Sequence, residues 1–93
     1  MKAVKNRMKM IVNISRNRDN LTGNNFEFAK FVLSYHDDKE RLKDLKNIMI
    51  DIHPKYQTSR CFFIVKEDGS EHDISYHKCL SNLYKDFKAK SEN

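Results

Sequence analysis

The apolar positions of this chain change period several times, and each change marks an element. From Met8 the even positions Met8, Met10, Val12 and Ile14 are apolar, with Lys5, Arg7, Lys9 and Asn13 on the odd positions. That period of two predicts a half-buried strand with a basic outer face. Asn17 to Asn25, with Gly23 and several asparagines, reads as a loop. Phe28, Val32 and Tyr35 then recur at i, i+4 and i+7 with Ala29 and Phe31 beside them, predicting a helix from Asn25 to His36 that Thr22 or Asn24 caps. Asp37 to Asn47 is strongly charged and has Leu42 and Leu45 three apart, which suits a short helical turn or a second helix lying on the surface.

Farther on, Ile48, Ile50 and Ile52 alternate with Met49, Asp51 and His53 until Pro54 stops the ladder, a strand signal. Arg60 to Lys66 is apolar on both faces in its middle and predicts a more deeply buried strand. Asp68-Gly69 supplies a turn, from which Glu71 to Ile74 returns as the second arm of a hairpin. Ser75 is placed to cap a last helix, whose Tyr76, Cys79, Leu80, Leu83, Tyr84 and Phe87 fall at helical spacing. The elements add up to an α+β fold, a small, mostly antiparallel sheet of three to four strands with two to three helices packed on one face.

At 93 residues the chain holds one domain, 1–93, because a second core could not be buried at this size. With 39% apolar and 33% charged residues, two Gly and one Pro, it is neither disordered nor collagen-like. The longest apolar run, Cys61 to Val65, is far short of the roughly 20 residues that span a bilayer. No apolar stretch of roughly 7–15 residues follows the N-terminal basic residues, so a cleaved secretory signal is not expected. Cys61 and Cys79 allow one bridge at most, thin for a secreted scaffold, and reduced thiols in a cytosol-like compartment are expected. Thirteen lysines and nine asparagines suit an AT-rich coding sequence of a phage or low-GC bacterium, which makes the compartment the host cytoplasm if the chain is viral.

Charge is unevenly placed. Residues 1–20 hold Lys2, Lys5, Arg7, Lys9, Arg16 and Arg18 against Asp19 alone, which accounts for the whole net charge of +5. Such a segment is the footprint of contact with phosphates, and the competing reading is a plain solvated strand face. Tyr56, in the polar segment after Pro54, is placed either to stack on a base or to lean on the sheet. Cys61, Cys79, His53 and His77 are metal-ligand types, yet no Cys-x-x-Cys occurs and His77 and Cys79 lie on different faces of one helix, so neither metal nor cofactor is expected. Asp51 and His53 share a strand face and offer an Asp-His general base of the kind a nuclease uses, without a visible third partner.

One stretch is more specific. His53-Pro54, Arg60-Cys61-Phe62, the Asp68-Gly69 turn, Asp73-Ile74-Ser75-Tyr76 and Lys78-Cys79 together resemble the DCL domain family, named for a plant "defective chloroplasts and leaves" phenotype, with Ile74 where the family usually has Phe. The resemblance covers residues 26–83, with Phe31-Val32-Leu33-Ser34-Tyr35-His36 as the family's first helix. Family members usually carry a longer segment with a Lys-Ile-Gly type turn before the central strand; here Lys39 to Asn47 is short and lacks that glycine. The resemblance implies an association with plastid ribosomal RNA maturation or with a plant-specific nuclear RNA polymerase, whose largest subunit ends in a similar domain, and it names no reaction.

Arg60 and Lys78, within the family-like motif, are placed to hold a phosphate jointly; the structural alternative is a cross-strand ion pair of Arg60 with Asp73. The function expected is that of a small non-catalytic RNA-binding accessory domain. Its contacts are Lys5, Arg7, Lys9, Arg16, Arg18, Tyr56, Arg60 and Lys78. A protein-interaction module docking on RNA polymerase, a ribosome-assembly factor or another host complex is the second reading, and a small nuclease the third.

Overall fold

The computed structural model describes residues 2–53, 55 and 59–91. Its first element corrects the expected N-terminal strand: Lys2–Ile14 is an α-helix, α1. Val4, Met8, Ile11 and Val12 follow i, i+4, i+7 and i+8, and Met8 and Ile11 are fully buried. Ile11 is the residue that the strand alternation leaves out, whereas Met10 and Ile14, which it counts as core, are 54% and 66% exposed. The following loop contains a two-residue strand, β1 (Asp19–Asn20), entered through Arg18 at φ 64°.

Helix α2 (Gly23–Leu33) has Thr22 at its N-cap position, and a single turn of 3-10 helix at Lys39–Leu42 occupies the charged segment. Asp38 caps that turn by accepting the Glu40 N–H at 3.0 Å. Strands β2 (Leu45–Ile52), β3 (Arg60–Lys66) and β4 (Glu71–Ile74) follow, and helix α3 (Tyr76–Ser91) closes the described chain.

The four strands form an antiparallel sheet in the order β1-β2-β3-β4. Gly69 at φ 85° turns the β3–β4 hairpin, and the Asp68 carboxylate accepts both the N–H and the hydroxyl of Ser70. These bonds hold the Asp68 carboxyl below its usual range. Register pairs Ile48 with Ile64, Ile50 with Phe62, and Phe62 with Ile74, so these five buried side chains share one face. They form a single core with Met8 and Ile11 of α1, Ala29, Val32 and Leu33 of α2, and Cys79 and Leu80 of α3. All three helices therefore cover the same side of the sheet.

The opposite face carries Met49, Cys61, Phe63 and Val65. Burial along β3 alternates between full and partial, so this strand is deeply buried on its inner face only, where an apolar middle had suggested both. Phe87, at the far end of the α3 stripe, is 40% exposed, while Cys79, Leu80 and Leu83 are buried.

Candidate nucleic-acid interface

A helix distributes the N-terminal cations differently from a strand. Lys5 and Lys9 lie one turn apart on the exposed side of α1, and Arg16 is exposed just beyond its end. Arg7, two residues from each lysine, points elsewhere: it is half-buried, with its guanidinium carbon 4.1 Å from the centroid of the Phe28 ring. The expected single face of Lys5, Arg7 and Lys9 is thus replaced by a Lys5–Lys9 pair.

Arg18 is drawn into the protein's own charges. Its Nη1 lies 3.0 Å from Asp51 Oδ2 on β2, and its Nη2 lies 2.8 Å from Glu71 Oε2 on β4. Because β3 lies between those strands, the side chain reaches across the outer face of the sheet. The hydrogen bond and charge of Glu71, followed by Asp51, hold the guanidinium more firmly protonated.

Arg60 has the parity of Phe62 and Ile64 and so turns toward the helices, away from Asp73, which pairs with Phe63 on the other face. The alternative Arg60–Asp73 ion pair is replaced by a helix cap: the guanidinium donates to the carbonyls of Ser15 and, at 3.1 Å, of Asn13. A cation on these carbonyls at the end of α1 satisfies orphan acceptors and opposes the negative end of the helix dipole. Lys78 is exposed on α3, and Tyr56 lies outside the described residues.

Between α1 and the start of α3 runs a groove of about 440 Å³, lined by Lys9, Val12, Asn13, Ser59, Arg60, Tyr76 and His77. Lys78 is not among these residues, so the expected pairing of Arg60 with Lys78 is replaced by a groove that Arg60 shares with Lys9 and His77. Tyr76 packs edge-on against Phe62 of the core, with ring centroids 5.7 Å apart, and stacks on His77 at 4.4 Å. Burial pushes the Tyr76 hydroxyl pKa up. In the sequence His77 stands out only as a metal-ligand type, and its place beside Tyr76 in the family-like motif is the signal for a surface ring.

A second, smaller pocket of about 210 Å³ shares Arg60, Tyr76 and His77 and opens toward His53, Cys61 and Asp73. His53 Nε2 lies 3.8 Å from Asp73 Oδ2, while the Asp51 carboxylate is engaged by Arg18 and by the Ile52 N–H. The Asp51–His53 pair that the strand pattern allowed as an alternative is thus not formed, and His53 approaches Asp73 instead. Cys61 and Cys79 form no disulfide, and the Cys79 Sγ contacts the Leu33 and Ser75 carbonyls. Burial first, and then the charges of Asp73 and Asp51, push the Cys61 thiol up to about 11, opposite to what a thiolate nucleophile requires. Among the described residues no group of three or more His, Cys, Asp or Glu side chains is placed to hold a metal ion. No described helix is long and apolar enough to cross a membrane.

A four-stranded antiparallel sheet covered on one face by three helices, with a cationic groove where two of them meet its end, defines a one-sheet α+β module. The chain belongs to the DCL-domain family: residues 9–80 match the family described as a protein of unknown function, DUF3223. It is 38% identical over 72 residues to the chloroplastic protein DCL homolog of Arabidopsis thaliana, an alignment covering 74% of this chain and 33% of that one. It is also 38% identical over 64 residues to DNA-directed RNA polymerase V subunit 1 of the same plant, covering 66% of this chain and 3% of the subunit. The chain thus spans a third or less of these relatives. Among solved structures it is similar to an uncharacterized protein of Rhodospirillum rubrum determined by solution NMR, with a TM-score of 0.73 and 28% identity, over 85% of this chain and 77% of that one.

Proposed function

We propose that this domain is a non-catalytic RNA-binding accessory module of RNA-processing or transcription machinery, holding phosphates with Lys5, Lys9 and Arg16. The observation that carries the reading is the concentration of the whole net charge in residues 1–20, combined with a helix that turns Lys5 and Lys9 outward together. The likeness to a subunit of an RNA polymerase supports that setting. Two cysteines without a disulfide between them suit a reducing compartment such as the cytoplasm.

Phosphate contacts release counterions, so binding of a labelled single-stranded RNA, followed by fluorescence anisotropy, should weaken linearly in log–log form with salt. Replacing Lys5, Lys9 and Arg16 together by Gln should flatten that dependence by roughly 0.7 per lost contact while the circular dichroism of the fold is unchanged. Absence of binding by the parent protein at low salt would overturn the reading.

A second reading is favoured by Met10 and Ile14, one turn apart on α1 and exposed beside the lysines. They fit a protein partner such as a polymerase or ribosome-assembly component. Partner capture that survives high salt and ribonuclease but is lost on Met10→Ser with Ile14→Ser would favour it.

A further inference from the structure

We infer that the groove between α1 and the start of α3 seats one nucleotide of single-stranded RNA, its phosphate between Lys9 and Arg60 and its base on the imidazole of His77; this rests on the RNA-binding reading above. At about 440 Å³ the groove falls within the roughly 300–1,000 Å³ typical of small-ligand clefts. None of the described residues lining it is acidic, and it gathers Lys9, Arg60 and His77 with the polar Asn13 and Ser59. Its cation is preorganised: two of the five guanidinium N–H donors of Arg60 hold the Asn13 carbonyl of α1 and the Ser15 carbonyl just beyond it, which fixes the plane and leaves three donors.

The aromatic platform is fixed as well. Phe62 in the core, Tyr76 against it and His77 stacked on Tyr76 form a chain of ring contacts from the interior to the surface. His77 is exposed at the end of that chain, so the ring is presented without the entropy cost of ordering a free side chain. Basic groups along a backbone path with an aromatic ring beside them are the two components of single-strand recognition, and the stacking component tolerates any base.

The test uses the full chain, a labelled single-stranded oligouridylate and uridine monophosphate. His77→Ala, at an exposed position, should weaken oligouridylate binding by about fivefold or more and leave its salt slope unchanged, since stacking releases no counterions. Lys9→Gln should instead reduce the slope by roughly 0.7. Uridine monophosphate should shift the NMR signals of His77 and Lys9 but bind more weakly than the strand, because it cannot reach Lys5 and Arg16. If His77→Ala binds the strand as tightly as the parent, the groove assignment fails while the RNA-binding reading stands. Equal affinity for the mononucleotide and the strand would overturn the strand in favour of a free-nucleotide site. If the parent binds no RNA at low salt, both fail together.

Discussion

Arg60 joins two parts of the chain that are 45 residues apart, and its value to the fold lies in the acceptors it satisfies. Replacing it with Gln removes a charged double donor from the end of α1 and leaves carbonyls there without their partner. Arg60→Gln should therefore lower stability by about 1–3 kcal/mol in urea denaturation, with a loss of helical signal, and not merely weaken ligand binding. Cys61 offers a test that depends on pH. Its folded pKa is raised from 9.0 to about 11, so the folded state retains the proton that the unfolded chain releases first. The contribution is complete below pH 9 and is lost as pH rises toward 11. Cys61→Ser should flatten that decline in stability, and alkylation of Cys61 in the folded protein should stay slow at neutral pH and quicken as pH approaches 11.

Helix α1 shows where sequence periodicity misleads. Met8, Met10, Val12 and Ile14 satisfy a strand template and Val4, Met8, Ile11 and Val12 a helix template, and the two share Met8 and Val12. Only burial separates them. Ile11→Ala should cost about 2–5 kcal/mol, while Met10→Ala should stay within about 0.5 kcal/mol; the reverse order in thermal or urea unfolding would restore the strand. The hairpin from Arg60 to Ile74 and the helix after Ser75 were legible because several signals agreed there, namely alternation, an Asp-Gly turn and a long helical stripe. The β1 strand carried no such signal, since two polar residues in an asparagine-rich loop acquire their ladder entirely from β2. Site residues were legible as a basic segment and as an arginine in a motif. Their division into exposed lysines, a ring-bound Arg7, a sheet-spanning Arg18 and a helix-capping Arg60 was not, because each depends on contacts distant in sequence.

Taken across the molecule, the three helices leave the other side of the sheet to a few apolar side chains and paired charges, so the two faces differ in character. The helix side presents cations around a groove; the sheet side presents the half-buried Phe63 and Val65, over a buried Met49, beside the Asp51, Arg18 and Glu71 bridge. That bridge bears on a hazard separate from function. Strand β2 contains Ile48-Met49-Ile50, and its outer edge is shielded by β1 through the Arg18 N–H to the Ile50 carbonyl at 2.6 Å and the Leu21 N–H to the Ile48 carbonyl at 2.8 Å. Besides the buried Leu21, the Arg18 side chain anchors this short shield by reaching across the outer face of the sheet to Asp51 and Glu71. Without it, an apolar edge with unpaired amides is open to intermolecular strand pairing. Arg18→Ala should accordingly raise concentration-dependent self-association, measured by light scattering on warming, more than it lowers the unfolding midpoint. An unchanged monomer fraction would show that the backbone bonds suffice, and that this arginine guards nothing against aggregation.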